Sequence, residues 1–560
     1  MRDILYFILG MGCIFLIGAL ISLIEYLYKM KYIKQNINNK YGKKLDIDDA
    51  IYKMASVSSY FENKKITKSI DNITWNDLNM DDVYNTINNT QSTAGRDVLY
   101  SILREPLFNE DILTKRDNLI EFFRNNEQIR KDVQYILAKL GYSKELYTTN
   151  CLFNSIDNSK SKLLKYNLLS MIPFISLLLI FINFNFLFLC IASMAVNVWI
   201  SYTEKKHNYN VDGFTYIISM VNTAKKLKNL NISKINQNLH DINLHLDNVK
   251  KIRMKSIDGS SVLINADMNV FGEYFNMITL KELRNYEKVK NTVIKNSKDF
   301  KALYDYVGSI DALIAVASFR DSLNYYTKPS LIKSSSKNDN ILEFDEIYHL
   351  LINNPVSNSG SFNNSILLTG SNASGKSTFI KTIAINAILA QTIYTVCAKN
   401  YKSSYFNIYT SMALKDDIFS NESYYIVEIK SLKRILDNSN EDIPCLCFVD
   451  EILRGTNTVE RIASSCEVLS HLEKSNTICF AATHDIELTH LLEDSFGNYH
   501  FEETITNRDI EFDYKLHRGR ALTRNAIKLL DFIGYDKEIV DNANNRASQF
   551  LETGKWKYKI

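Results

Sequence analysis

The run from Tyr166 to Tyr202 contains no Asp, Glu, Lys, Arg or His, and no other segment constrains the fold of this chain as tightly. It is too long for one membrane crossing of roughly 20 residues and suits two. Asn183-Phe184-Asn185 breaks it near the middle and reads as a tight turn between two helical arms. Lys160, Lys162 and Lys165 precede the run, and Lys205 and Lys206 follow it. Lysines on both flanks and none in the turn put both ends on the cytoplasmic side. Pro173, in the first arm, is tolerated in a membrane helix. The competing reading is a buried helical hairpin in a soluble domain, and the length of the uncharged run argues against it.

Ile4 to Ile24 is also uncharged and long enough to cross a bilayer. Only Arg2 and Asp3 are charged before it, whereas Lys29, Lys31, Lys34, Lys40, Lys43 and Lys44 follow. This predicts an uncleaved anchor with its N-terminus outside. The three spans agree: everything after Tyr202 is expected in the cytoplasm, beneath a bacterial-type inner or plasma membrane. A formal net charge of +3 excludes a wholly basic nucleic-acid coat and an acidic tail. Only 5 Pro and 18 Gly predict long helices. The cysteines form no Cys-x-x-Cys pair. They read as reduced, buried small hydrophobes, with no structural metal site expected.

The organisation read from the chain is an anchor over 1–28, a linker over 29–75 and a first helical region over 76–160. A membrane hairpin over 166–203, helices over 204–325 and an α/β domain over 340–550 follow. Ile232, Ile235, Leu239, Ile242, Leu246 and Val249 step by three and four, predicting one long helix with a packed seam. Lys225, Lys226, Lys228, Lys250, Lys251, Arg253 and Lys255 flank it; they read as a solvated face or as phosphate contacts. Past the polar stretch Ser334–Asn340 the pattern changes. Short apolar runs at Ser365–Thr369, Cys445–Val449 and Thr477–Ala482 alternate with helices, which predicts a parallel sheet with crossover helices.

The first of those strands runs into Gly370-Ser371-Asn372-Ala373-Ser374-Gly375-Lys376-Ser377-Thr378 and then an apolar helix. Gly-x-x-x-x-Gly-Lys-Ser between strand and helix is a P-loop in its required setting. Its backbone N–H groups wrap phosphate oxygens at a helix N-terminus. Lys376 is expected at the β- and γ-phosphates of ATP and Ser377 on Mg2+. Cys445 to Val449 ends in Asp450-Glu451. Asp450 is placed to hold Mg2+ and Glu451 to take a proton from the attacking water. His484, at the tip of the next apolar strand, is placed to bond the γ-phosphate.

At these residues the sequence resembles the MutS family of ATPases, in several motifs and in order. Thr369–Thr378 is similar to its P-loop, Asp450–Thr458 to its acidic motif, and Phe480–Thr489 to the segment bearing its switch histidine. Ser423–Glu428 resembles the segment in which the family offers a serine to the partner subunit's ATP. Ala526–Ala543 is similar to the helical pair through which the family joins ATPase domains. Thr90–Arg96, Leu103–Leu107 and Gly308–Leu313 resemble parts of its helical core and lever. Leu453 stands where the family usually has glycine.

The resemblance implies a P-loop ATPase domain attached to an all-α core and lever, working as a homodimer through the ATPase domains. It also implies binding of double-stranded or branched DNA, in a family tied to mismatch repair. The N-terminal mismatch-reading and connector domains of that family are not expected here. The alternative is an ATP-driven membrane transporter or remodelling protein that does not act on DNA. An uncharged hairpin offers no pathway for a transported ion. A P-loop kinase is a weaker alternative, because paired acids at a strand tip suit hydrolysis.

Overall fold

The computed structural model describes residues 24–25, 27–44, 54–64, 66, 68–143, 147–153, 160–207, 211–239, 241–250, 275–371, 374–412, 424–505, 510–521, 526–554 and 556. The expected anchor lies almost wholly outside the described residues, as do Asn372, Ala373 and Ser423. The chain divides into two units, one of Met1–Thr67, Tyr84–Arg104 and Thr114–Ser322, the other of Lys68–Val83, Glu105–Leu113 and Leu323–Ile560.

The regular elements among the first unit's described residues are all helices. Its centre is the crossing of α1 (Thr93–Arg104) with a later and much longer helix, Ser297–Ser322. The approach is close because glycine faces each helix. A Cβ on Gly95 would lie 2.2 Å from Asp311 Oδ2, and one on Gly308 would lie 2.5 Å from the Ala94 carbonyl. The two segments, more than 200 residues apart in sequence, are thus fitted to each other. Buried Asp311 accepts from the Gln91 N–H at 3.0 Å and from Ser92 Oγ at 2.5 Å. Burial pushes its carboxyl up to about 7. Arg320, also buried, donates to Asp117 and Glu121 at 2.6 Å each.

The uncharged run forms α2 (Lys160–Leu179) and α3 (Phe186–His207), joined through Asn183 to Asn185. Next come α4 (Lys281–Lys295) and α5, the long helix Ser297–Ser322. Three described helices are long and apolar enough to cross a membrane: Ser161–Leu179, Phe186–Glu204 and Ser297–Ser322. The last is 83% buried and is the core helix just described, whereas the hairpin arms are only 22% and 17% buried. The hairpin has an inverted polarity. Its buried seam carries Ser170, Ser176, Cys190, Asn197 and Ser201, while Leu168, Phe174, Leu178, Phe188, Ile191 and Trp199 are exposed. Small polar residues inside and large apolar ones outside are the arrangement of helices packed in hydrocarbon.

The predicted long helix over Ile232–Val249 is instead two short ones, Ser233–Asn238 and Asn243–Lys250. Leu239 is extended, with φ −112° and ψ 156°. Asp241 accepts from the Asn243 N–H at 2.9 Å, starting a new helix rather than continuing the old one. Of the seam residues, Ile235, Ile242, Leu246 and Val249 are buried, and Ile232 and Leu239 are half-buried.

Besides a small antiparallel ribbon of β10 (Glu503–Ile505) and β11 (Ile510–Phe512), the second unit holds two main sheets. One has the order β1-β5-β2-β3, from β1 (Ser330–Ile332), β2 (Leu342–Ile347), β3 (Asn358–Phe362) and β5 (Asn400–Ser404). The six-stranded sheet has the order β12-β9-β4-β8-β7-β6. Its strands are β4 (Ile366–Thr369), β6 (Asn407–Ser411), β7 (Cys445–Asp450), β8 (Thr477–Ala482), β9 (Gly497–His500) and β12 (His517–Arg518). All its pairs are parallel except β12 with β9. The three predicted strands are central β4, β7 and β8, buried on both faces as a covered parallel sheet requires.

The edge strand β6 is closed by a distant piece of chain, the helix Asn72–Asp77. Thr410 donates to Asp77 Oδ2 at 2.7 Å and the Met412 N–H donates to the same oxygen at 3.1 Å. Arg434 bonds Asp71 and the Thr410 carbonyl. Lys68–Val83 thus belongs with the α/β unit, whereas the sequence reading divided it between a linker and the helical region. Side-chain pairings over more than 300 residues leave no periodic trace.

Candidate functional site

The site is built at the carboxyl ends of β4, β7 and β8. After β4 the chain turns through Gly370 at φ +139° and Gly375 at φ +105° into α6 (Lys376–Thr392). Both values lie where only glycine sits without strain. A Cβ on Gly370 would also meet the Phe501 carbonyl at 2.8 Å. Lys376 is buried, and its Nζ donates to the Gly370 and Ser371 carbonyls at 2.8 Å each. Burial lowers its pKa to about 8, against the pull of Asp450 and Glu503. Its ammonium is therefore held by backbone oxygens that a phosphate would replace.

Asp450 ends β7 in register with Ala482 of β8, and the Glu451 N–H donates to the Ala482 carbonyl at 2.9 Å. This pairing fixes the acidic pair next to His484. His484 Nε2 lies 3.3 Å from Glu451 Oε1. Burial and then the Lys376 and Arg454 charges hold the imidazole below its ordinary pKa, so it is neutral at pH 7. Glu451 is also ion-paired with Arg454. Two buried oxygens, Ser374 Oγ in the loop and Asp450 Oδ1 at the strand tip, have no hydrogen-bond partner. Buried polar atoms are rarely left so. Orphaned oxygens beside a buried lysine fit a phosphate chain with a hard cation, to which Ser377 and Asp450 would be the ligands. Ser377 opens α6 beside Lys376. Of the predicted site residues, Gly370, Ser371, Ser374, Gly375, Lys376, Ser377 and Thr378 thus form one strand-to-helix turn, with Asp450, Glu451 and His484 on adjacent strand tips.

Three supporting groups were not assigned roles from the sequence. Glu428, on α7 (Tyr424–Asp437), is buried and accepts from the Leu453 N–H and also from the Arg454 N–H. It thereby ties down the acidic loop, in which Glu451 and Leu453 have φ +59° and +56°. A lone acid in the apolar run Tyr424-Tyr425-Ile426-Val427-Glu428-Ile429 was its signal. Arg461, on α8 (Thr458–Lys474), grips Asp485 with Nε–Oδ2 at 2.9 Å and Nη2–Oδ1 at 2.6 Å. This fork links the helix after the acidic loop to the residue after His484. Glu503 accepts from Ser371 Oγ at 2.7 Å, beside the P-loop; nothing in its local sequence marks it.

A buried lysine in a glycine turn, an orphaned strand-tip carboxylate oxygen and an adjacent acid–histidine pair fit the P-loop class of phosphate-binding sites. Residues 366–551 match the family described as MutS domain V. The chain is 33% identical over 44% of its length to MutS protein homolog 4 of Mus musculus. It is 29% identical over 50% of its length to the DNA mismatch repair protein MutS of Prochlorococcus marinus strain AS9601. With the protein of the same name from strain MIT 9312 it shares 25% identity over 84% of its length. It spans 27%, 32% and 57% of these relatives' own lengths, respectively. The likeness to the MutS family is thus concentrated in residues 366–551 and extends at lower identity over more of the chain.

Proposed function

We propose that this protein is a membrane-anchored, Mg2+-dependent MutS-like ATPase that couples ATP hydrolysis to movement of its helical unit and acts on DNA. The supporting observation is the convergence of Lys376, Asp450, Glu451 and His484 on the ends of three adjacent strands, with Ser374 Oγ and Asp450 Oδ1 unpaired. On binding, the loop N–H groups and Lys376 hold the phosphates, Lys376 giving up its bonds to Gly370 and Ser371. Bound Mg2+ supplies charge neutralisation at the phosphates. Glu451 leaves Arg454 and accepts a proton from water, and neutral His484 donates to the γ-phosphate. The family resemblance assigns Ser423 to the second subunit's nucleotide in a homodimer.

Glu451→Gln tests this. It should bind ATP and turn over at least about 100-fold more slowly, the usual worth of a general base; unchanged turnover removes Glu451 from that role.

The names of the relatives motivate DNA as partner, either double-stranded or branched. Affinity for duplex and branched DNA should fall log-linearly as salt rises. If it does not, the reading as an ATP-driven transport or remodelling protein takes precedence. The inverted hairpin supports membrane residence, and the lysines flanking the spans motivate an ATPase unit on the cytoplasmic side and an N-terminus outside. Alkaline-carbonate extraction and protease protection test it.

A further inference from the structure

Pro173 sits inside α2 and has no N–H, so the Leu169 carbonyl, four residues earlier, loses its helical partner. In hydrocarbon such an oxygen must find a donor within the protein. It finds one on the other arm: Asn197 Nδ2 donates to the Leu169 carbonyl at 3.1 Å. The same amide nitrogen donates to the Ile278 carbonyl at 2.8 Å. Ile278 lies in the helical turn 275–278 just before α4, and the chain bends there through Leu280 at φ +49°. Asn197 is buried, so these bonds do not compete with water.

A second set of contacts is formed beside the first. Arg284, in the first turns of α4, donates from Nε to Asn167 Oδ1 at 2.8 Å and from Nη1 to Ser170 Oγ at 3.0 Å. Tyr166, Leu280 and Leu283 form a buried apolar cluster with Leu169 and Ile200 against it. The lower part of the hairpin is thus joined to α4 and the turn before it by three polar bonds and an apolar contact, while a fourth bond ties its two arms together. α4 is followed at once by α5, whose crossing with α1 centres the unit.

We propose that the lipid bilayer is a regulatory partner of the helical unit, acting through Asn197, which joins the hairpin to α4. This rests on the membrane reading above and extends it from tethering to coupling. A hairpin held only by its chain ends could tilt or sink in lipid without consequence. One whose arms are both bonded to the approach of α4 cannot change depth without moving that helix. Acyl chains shorter or longer than the apolar length of the arms force such a change.

The test uses the full chain reconstituted in phosphatidylcholine–phosphatidylglycerol vesicles with 14-carbon or 22-carbon acyl chains. Vesicle flotation and carbonate resistance are scored first. A wild-type protein that fails to float refutes the membrane reading itself. For protein that floats, amide hydrogen exchange across Lys281–Lys295 should differ at least about tenfold between the two vesicles. Equal exchange in both overturns the coupling while leaving the membrane reading intact. Asn197→Leu keeps the arm apolar and should still float, but exchange should become insensitive to chain length. Retention of the wild-type difference overturns Asn197 as the joint. Pro173→Ala restores the N–H that Leu169 lacks, so it should leave the Asn197–Ile278 bond and the lipid response in place; loss of the response also overturns the assignment. Arg284→Met should weaken the response without abolishing it, and full abolition would move the joint to Arg284.

Discussion

Leu453 stands at φ +56°, where a side chain is strained, yet it is 4% exposed in a core cluster with Val449, Ile452, Leu469 and Leu488. Leu453→Gly sets these two facts against each other. Relief of the left-handed backbone is worth about 1–2 kcal/mol. Loss of a buried leucine side chain, with the cavity left behind, costs about 3–5 kcal/mol. Packing wins, for a net loss of about 1–4 kcal/mol, centred on about 2–3 kcal/mol. The Glu428 bond to residue 453 involves the backbone N–H and survives the change, so nucleotide affinity should hold. The measurement is native-state hydrogen exchange of the slowest β7 amides, Cys445–Asp450. At about 1.4 kcal/mol per decade, they should exchange roughly 30- to 150-fold faster than in wild type. Unchanged or slower exchange would show that strain outweighs packing at this position and would refute the account of why a leucine is tolerated there.

Arg461→Ala should release Asp485 and loosen the His484 strand tip, lowering kcat with little change in KM; the double variant Arg461→Asp with Asp485→Arg should restore part of it. Equal effects on kcat and KM would contradict a positioning role. His484, held below its ordinary pKa by burial and the Lys376 and Arg454 charges, should place the acid limb of turnover below about pH 6.5, and His484→Ala should remove that limb. The Asp311 carboxyl is raised to about 7 in the fold from an unfolded value of about 3.9. The folded state therefore binds the proton more tightly, and this contribution to stability is full below about pH 4 and lost as pH rises through 7. Asp311→Asn should flatten the thermal stability of the helical unit across that window; an unchanged slope would exonerate Asp311. Gly308→Ala should destabilise that unit by about 2 kcal/mol or more by overpacking, read as a lower unfolding temperature.

The parts of this molecule legible in its sequence are those whose chemistry is contiguous. The glycine loop, the acid pair and the three buried strands each carry their signal within ten residues. The hairpin showed itself by an absence of charge that local sequence displays directly. What escaped depends on chain folding back on itself. Glu428 and Arg461 act through partners 25 and 24 residues away, and the Asn72–Asp77 contacts span more than 300. The Ile232–Val249 seam misled because apolar spacing records which residues are buried, and a single Asp241–Asn243 bond is enough to divide the helix that buries them.

The contacts of Asp71 and Asp77 with Thr410, Met412 and Arg434 carry a practical corollary. The α/β unit is assembled from three stretches of polypeptide, so a fragment begun at Leu323 would leave the outer ribbon of its main sheet bare. Unpaired ribbon edges recruit copies of themselves. Such a fragment should clump, and adding back a peptide spanning Lys68–Val83 should keep it dispersed.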